Sequence, residues 1–235
     1  MPCRSTNSWP PSSRTDVTET QGLDEAGWKA QLAAGAAELK VPLDDAQLDK
    51  LWRLGVLLRE RNEQVNLTSI VSPEGILTLH MLDSLSIVPD LLDAATVLDV
   101  GTGGGFPGLP LAVACPQREF MLIDGTQKKI RFVNEAIETL AIPNAKAVAV
   151  RAEGLDEPKY DAVIVRAVGS LADVLHNAGH LVAAEGRLLA MKGRHPADEL
   201  RAVPRGWRAK VSVLRVPGLD AERHVVALSR QKRPQ

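Results

Sequence analysis

The sequence is poor in cysteine, since only Cys3 and Cys115 among its 235 residues carry a thiol. Two isolated cysteines provide neither a disulfide framework nor the paired spacing of a zinc site. We therefore expect a reducing compartment, the cytoplasm, and no bound metal.

Long hydrophobic runs are also missing. No stretch approaches the roughly 18 apolar residues that cross a bilayer, and no apolar segment follows the basic residues near the N-terminus. These absences argue against secretion and against a membrane partner.

Aromatic residues make up only 3% of the chain, and its formal net charge is −1. Aliphatic side chains must therefore form most of the core, and the charge of the whole molecule gives no attraction to nucleic acid. The charge is unevenly distributed, because residues 186–235 hold twelve Lys and Arg against four Asp and Glu. Such a surplus is typical either of a surface that binds a polyanion or of a basic solvated face.

The composition divides the chain into three regions. Residues 1–22, rich in Ser, Thr and Pro, are predicted to be a disordered leader. Residues 23–93 are predicted to be a helical extension, because apolar side chains recur at helical spacing at 23–39, from residue 48, and from residue 73 to about 88. Residues 94–235 are predicted to form the main domain.

In the main domain, apolar strands alternate with helices. Strands are predicted at 96–100, 120–123, 147–150, 162–165 and 187–191, and helices at 108–114, 127–141 and 171–184. This alternation predicts an α/β fold with a parallel sheet covered on both faces. Two more strands, at 207–216 and 222–229, have no helix between them and predict a terminal antiparallel hairpin, giving a mostly parallel, seven-stranded sheet.

The most informative segment is the glycine-rich turn that follows the first strand. Five glycines lie within the eight positions 101–108, and Asp124 follows Gly105 by 19 residues. Glycines allow positive φ and close approach of the backbone to a ligand, while an acid at this spacing suits a ribose. A Walker-A phosphate loop is excluded, because no Gly-Lys-Ser/Thr follows.

The turn itself leaves two cofactors open, a dinucleotide and S-adenosylmethionine, beside the plain alternative of a tight strand-to-helix connection. Asp99 precedes the turn, where its carboxylate would repel a pyrophosphate and attract an α-ammonium and a sulfonium. Pro107 removes an N–H from the start of the following helix, where a pyrophosphate needs donors. Both features favour S-adenosylmethionine.

Six segments carry the most specific signal of the chain: 66–69, 80–84, 99–110, 165–167, 191–193 and 222–224. Their order and spacing resemble those of one family, the bacterial 16S ribosomal RNA guanine-N7 methyltransferases, also called glucose-inhibited division protein B, from about residue 45 to 230. The resemblance implies a class I S-adenosylmethionine-dependent methyltransferase, with a Rossmann-like fold. It also implies S-adenosylmethionine as cofactor and 16S rRNA of the small ribosomal subunit as partner.

The resemblance also assigns residues to the cofactor. They lie at the predicted carboxyl ends of the strands, where open parallel sheets bind ligands, and are Gly101, Gly103, Phe106, Asp124, Ala152, Glu153 and Arg166. Asp99 joins these cofactor candidates because of its charge beside the turn. One departure is Gly125, where the family often has Ser or Pro after the ribose acid. This departure weakens a side-chain contact at position 125 but not the role of the carboxylate.

Arg166 is the predicted catalytic residue. It ends an apolar strand at the cofactor edge, where its guanidinium can form bidentate hydrogen bonds to guanine O6 or to a phosphate. The alternative is a structural ion pair with a neighbouring carboxylate.

Five further residues are candidates for contact with substrate RNA: Asn66, His80, Asp83, Lys192 and Arg223. His80 and Asp83 share one helix face, so they either line the cleft or fix the docking of the helix. Asn66 either contacts substrate or stabilises a local turn, and the two basic residues either bind phosphate or remain solvated. Trp52 lies at helical spacing with leucines, which predicts core packing instead of base stacking.

The pattern leaves other functions open. A methyltransferase that acts on a small molecule or a protein would share this cofactor site, and a ribosome-binding factor without catalysis would share its surface. We expect a monomer.

Overall fold

The computed structural model of the chain describes residues 24–167 and 169–231. The predicted leader at 1–22 and Cys3 lie outside the described residues. Among the described helices, none combines the length and the apolar character that a membrane span requires.

The first two predicted helices are confirmed. Helix α1 spans Glu25–Glu38 and α2 spans Asp45–Val65, and an aspartate caps the N-terminus of each. Helix α2 begins with a capping box between Asp44 and Gln47, which satisfies backbone N–H groups that the first turn leaves unpaired. The rings of Trp28 and Trp52 meet edge to face at 5.3 Å, so Trp52 packs on the core as its spacing predicts.

The third helical segment is confirmed in extent but not in type. It begins as α3 (Pro73–Gly75), continues as a π-helix (Ile76–Leu82) and ends as α4 (Asp83–Leu85), before a 3₁₀ turn at Val88–Leu91. The sequence predicts one regular helix here, because apolar spacing does not specify whether the hydrogen bonds repeat at i+4 or i+5. The wider π turn carries His80 and leads directly into Asp83.

The seven strands form one sheet in the order β3-β2-β1-β4-β5-β7-β6. The strands are β1 (Thr96–Val100), β2 (Glu119–Asp124), β3 (Ala145–Ala149), β4 (Tyr160–Arg166), β5 (Val182–Lys192), β6 (Trp207–Val213) and β7 (His224–Arg230). Strands β1 to β5 are parallel, and β7 lies antiparallel between β5 and β6. The predicted fold class, with its terminal antiparallel hairpin, is confirmed.

Four helices connect the strands: α5 (Gly108–Ala114), α6 (Gln127–Thr139), α7 (Leu171–Ala178) and α8 (Ala197–Arg201). The prediction that α7 continues to residue 184 is wrong, because the chain passes through a 3₁₀ turn and enters β5 at Val182. Strand β5 contains Gly186, where a Cβ atom would lie 2.8 Å from the carbonyl oxygen of Asp161. The sequence did not predict this change from helix to strand, because the residues on both sides of it are mostly apolar.

The helical extension and the sheet share one core. Trp28, Leu51 and Leu58 of the extension belong to the same buried cluster as Val97 and Leu122 of the sheet. The strand order reverses between β1 and β4, and the carboxyl ends of strands at such a point form a ligand crevice. The division into regions at residues 23 and 94 stays a prediction.

Candidate functional site

The glycine-rich turn lies at the carboxyl end of β1. Gly101, Gly103 and Gly105 all have positive φ, of 72°, 59° and 88°, and the N–H groups of Gly101 and Thr102 both donate to the carbonyl of Ile123. A Cβ at position 105 would lie 2.3 Å from Cδ1 of Leu109. The turn therefore has a backbone path that side chains would obstruct.

Asp99 lies beneath this turn and is 1% exposed. Its Oδ2 accepts hydrogen bonds from the Thr102 hydroxyl at 2.6 Å and from the Gly108 N–H at 2.9 Å. Its Oδ1 is buried and has no hydrogen-bond partner among the described residues. Burial raises the pKa of this carboxyl to about 6, although the hydrogen bonds from Thr102 and Gly108 act in the opposite direction.

This raised pKa predicts a pH-dependent difference in stability between the wild type and Asp99→Asn. The carboxyl loses its proton near pH 4 in the unfolded state and near pH 6 in the folded state, so above pH 6 the folded wild type carries a buried charge. The free energy of unfolding of the wild type, relative to the variant, should therefore fall by roughly 2–3 kcal/mol as the pH rises from 4 to 7. Urea unfolding at several pH values measures this, and a difference that rises with pH would contradict it.

Asp124 ends β2 beside the turn. Its Oδ2 accepts from the Gly103 N–H at 3.1 Å and its Oδ1 from the Thr126 N–H at 2.8 Å. The carboxylate thus fixes the two backbone segments that flank it. It also lines a cavity of about 300 Å³, here called the cofactor cavity, together with Gly101, Gly125, Arg151, Ala152 and Glu153.

The predicted cofactor residues therefore cluster at one edge of the sheet. Four of them line the cofactor cavity: Gly101, Asp124, Ala152 and Glu153. The unpartnered Oδ1 of Asp99 and the glycines of the turn are consistent with a cationic, nucleoside-containing donor at this edge. Sequence reasoning missed Arg151, whose side chain lies 3.2 Å from the point where a Cβ of residue 125 would be. The unusual Gly125 was the available signal.

A second cavity, of about 440 Å³, lies between the helical extension and the carboxyl ends of β4 and β5. It is called the basic cavity here, and the predicted site residues that line it are His80, Asp83, Arg166, Lys192 and Arg223. Of the candidates for RNA contact, only Asn66 is not part of its lining. The fold thus brings together residues that lie up to 143 positions apart in the sequence.

Arg166 makes the structural ion pair that was the alternative to a substrate contact. Its Nη1 donates to the carbonyl of Leu79 at 3.1 Å and to Oδ2 of Asp83 at 3.2 Å. Its guanidinium carbon also lies 5.9 Å from the centre of the Phe106 ring. Arg166 therefore joins the wall of the basic cavity to the glycine-rich turn.

His80 makes a second connection to the turn. Its ring stacks on Phe106 with centroids 4.4 Å apart, and its Nε2 lies 3.0 Å from the hydroxyl of Thr68. Burial, and secondarily the charge of Arg166, lowers the pKa of His80 to about 4. The imidazole is accordingly neutral at physiological pH.

The other candidates have defined partners. Lys192 donates to the carbonyl of Gly169 and to Oε2 of Glu199, both at 2.8 Å, and Arg223 Nε donates to Oδ1 of Asp83 at 2.9 Å. Asn66 ends α2 in the left-handed conformation, with φ of 53°. Its backbone N–H donates to the carbonyl of Asn62, and the choice between turn stabilisation and substrate contact stays open.

Asn62 is a residue that sequence reasoning missed. Its Oδ1 accepts from the N–H groups of both Leu67 and Thr68, at 2.7 and 2.8 Å. It therefore holds the loop from which Thr68 reaches His80. An asparagine one turn before a helix end was the only signal for this role.

A larger cavity, of about 610 Å³, lies at the amino ends of the strands, with Thr96, Arg118 and Tyr160 among its lining residues. It contains none of the predicted site residues and lies at the edge opposite to the crevice. Among the described residues, no group of His, Cys, Asp and Glu is arranged to hold a metal ion.

The family model and the similar proteins that match this chain carry the same name. The family model described as rRNA small subunit methyltransferase G matches residues 47–226. A protein named ribosomal RNA small subunit methyltransferase G from Cupriavidus pinatubonensis is 42% identical over 227 residues, covering 89% of this chain and 97% of the relative. One of the same name from Xanthomonas campestris is 43% identical over 201 residues, covering 85% and 93%.

Solved structures share the fold at low sequence identity. A tRNA (m1A58) methyltransferase from Aquifex aeolicus aligns with a TM-score of 0.53 at 15% identity, covering 65% of this chain and 69% of that one. A ribosomal protein L11 methylase from Lactobacillus delbrueckii aligns with a TM-score of 0.51 at 16% identity, covering 64% and 77%. These two support the fold alone.

Proposed function

This chain belongs to the rRNA small subunit methyltransferase G family, and we propose that it methylates N7 of a guanine in 16S rRNA of the small ribosomal subunit. Family membership makes S-adenosylmethionine the methyl donor, which decides against the dinucleotide that the glycine-rich turn alone left open. The choice of guanine N7 rests on the sequence resemblance.

One observation supports the proposal most directly. Phe106 of the glycine-rich turn contacts both His80 and Arg166, and both of these residues line the basic cavity. A ring of the glycine-rich turn thus contacts two side chains of a cavity that holds three basic residues. A purine held in the basic cavity would lie next to the end of the cofactor site from which a methyl group is transferred.

When bound, S-adenosylmethionine supplies a methyl group made electrophilic by its sulfonium. Gly101, Gly103 and Asp124 would hold its nucleoside portion at the end of β1 and β2, and Asp99 would attract its cationic portion. The glycine-rich turn would hold the donor by backbone contacts at a small cost in flexibility, because the turn is already hydrogen-bonded to Ile123 and Asp124.

The acceptor needs alignment more than activation. N7 of guanine already presents a lone pair in the ring plane, so no proton has to be removed from the nucleophile. Catalysis then comes from in-line positioning, which contributes about 7–11 kcal/mol in favourable intramolecular reactions. Neutral His80 and the paired Arg166 would fix the base without accepting a proton from it.

This mechanism predicts a flat pH profile above neutrality. His80 has a pKa of about 4, so its protonation state does not change there, and no general base is required. We expect kcat to vary by less than about twofold between pH 7 and 8.5. Steady-state rates at saturating donor measure this, and a steep rise that follows one basic group would contradict the mechanism.

The proposal is tested by product mapping. Purified protein is incubated with radiolabelled S-adenosylmethionine and with small ribosomal subunits from cells that lack this protein. A parallel reaction contains naked 16S rRNA in place of the subunits. Label in one guanine supports the proposal if the RNA chain is also cleaved at that guanine by borohydride and aniline, which detect methylation at N7. Label in a protein or a small molecule supports the runner-up methyltransferase, and absence of transfer supports a non-catalytic ribosome-binding factor.

We also propose that the chain acts as a monomer in the cytoplasm, where the ribosomal substrate is found. Size-exclusion chromatography with light scattering tests the oligomeric state. A mass near twice the 25.3 kDa of the chain would contradict it.

A further inference from the structure

Asp83 occupies a distinctive position in the basic cavity. Its side chain is 4% exposed, and each carboxylate oxygen forms an ion pair, Oδ1 with Arg223 at 2.9 Å and Oδ2 with Arg166 at 3.2 Å. These three residues come from α4, from the end of β4 and from the residue before β7. One carboxylate thus connects the helical extension to two separate parts of the main domain.

The charge in the basic cavity is also unusual. Asp83 is the only carboxylate among the described residues that line it, against the cations Arg166, Lys192 and Arg223. Lys192 has its own partner in Glu199, so Asp83 is the counter-charge for the two arginines. A cavity built solely to attract phosphate would gain nothing from a buried acid between its guanidinium groups.

The proposed reaction changes the charge of the base. The N7 lone pair forms the new bond to the methyl carbon while the electrons of the carbon–sulfur bond return to sulfur, so the positive charge passes from the donor to the guanine. A guanidinium that lies closer to the base than to the sulfonium opposes this transfer of positive charge, unless a carboxylate balances it.

From this juxtaposition we propose that Asp83 is a charge-balancing positioning residue, which cancels guanidinium charge so that the basic cavity accepts a base that becomes cationic. The inference rests on the proposed function. The carboxylate also keeps the guanidinium groups of Arg166 and Arg223 against the cavity wall, where they hold RNA without carrying a full unbalanced charge to the reacting ring.

Three variants test the proposal by changing the charge in steps. Asp83→Asn adds one positive charge to the cavity, Arg223→Gln removes one, and the double variant restores the wild-type balance. We expect kcat to fall about tenfold or more in Asp83→Asn and to return to within about threefold of wild type in the double variant. Glu135→Gln, which breaks a pair with Arg61 outside the cavity, is the control and should leave kcat unchanged.

RNA binding provides the second readout, because a merely structural role would not change it in this way. The slope of log affinity for small subunits against log salt concentration should steepen by about one unit in Asp83→Asn, become shallower by about one in Arg223→Gln, and match wild type in the double variant. Binding should thus tighten in Asp83→Asn while turnover falls.

The outcomes separate the two claims. If wild type transfers methyl to small subunits and Asp83→Asn turns over like wild type, the inference is wrong and the proposed function stands. If the double variant is as slow as Asp83→Asn, or if Asp83→Asn binds RNA more weakly, the carboxylate is only structural and the inference is also wrong. If wild type transfers no methyl, the proposed function fails and the inference fails with it.

Should Asp83→Asn not fold, the double variant and Arg223→Gln still provide the comparison, since a structural carboxylate predicts no recovery in the double variant.

Discussion

Replacing Arg166 with alanine is expected to lower kcat by about 100-fold, because a site that acts by alignment loses about that much when the substrate is displaced by roughly 1 Å. Arg166 is the side chain that reaches from the basic cavity to the Phe106 ring at the cofactor edge. Its removal also leaves Asp83 buried with one of its two partners. Steady-state kinetics with small ribosomal subunits measures the loss.

Arg166→Lys separates charge from geometry. Lysine retains the positive charge but lacks the planar fork that donates to Leu79 and Asp83 from one nitrogen and leaves the rest of the guanidinium for substrate. We expect most of the loss to remain, whereas near-normal turnover would show that the bidentate role is wrong. Arg208→Ala is the control, since Arg208 is exposed on β6 and should change kcat by less than about twofold.

The fold follows closely from the sequence where local pattern and tertiary environment agree. Strand β1 (Thr96–Val100) was predicted to its ends because three of its five residues are aliphatic and its three central residues are buried in a parallel sheet. The glycine-rich turn and Asp124 were predicted together because both belong to the ends of adjacent strands. Once the strands are predicted, the residues at their carboxyl ends can be read directly from the order of the chain.

The sequence failed where distant segments decide the outcome. The ion pair between Asp83 and Arg223 joins residues 140 positions apart, and no local pattern identifies which of the many arginines in the C-terminal region will be used. The π-helical turn before Asp83 is likewise invisible to hydrophobic spacing. Candidate residues at strand ends could thus be predicted from the sequence, while the partners of their charges required the structure.

The ring of Phe106 connects the glycine-rich turn to two residues that line the basic cavity. His80 stacks on one side of this ring, and the guanidinium of Arg166 lies 5.9 Å from its centre. His80 is in turn held by Thr68, whose loop is fixed by Asn62. A movement of the glycine-rich turn when the donor binds would therefore displace residues that line the basic cavity.

Replacing Asp124 with alanine is expected to raise the Kd for S-adenosylmethionine by about 10- to 100-fold, because hydrogen bonds to a charged group contribute about 1.5–3 kcal/mol. The carboxylate lines the cofactor cavity at the position that suits a ribose, and it also holds the N–H groups of Gly103 and Thr126. Its loss removes ligand contacts and loosens both backbone segments. Isothermal titration with S-adenosylmethionine measures the change.

The control for Asp124→Ala is Glu119→Gln, which removes a carboxylate from the other end of the same strand, where the side chain is exposed. It should leave the Kd within about twofold of wild type, because its charge is screened by water. Asp124→Asn separates the two roles of the carboxylate: it retains one acceptor oxygen but turns an amide donor toward either Gly103 or Thr126, so its Kd should lie between those of wild type and Asp124→Ala. An unchanged Kd in Asp124→Ala, with the thermal stability preserved, would place the nucleoside elsewhere and remove the cofactor cavity from the proposed site.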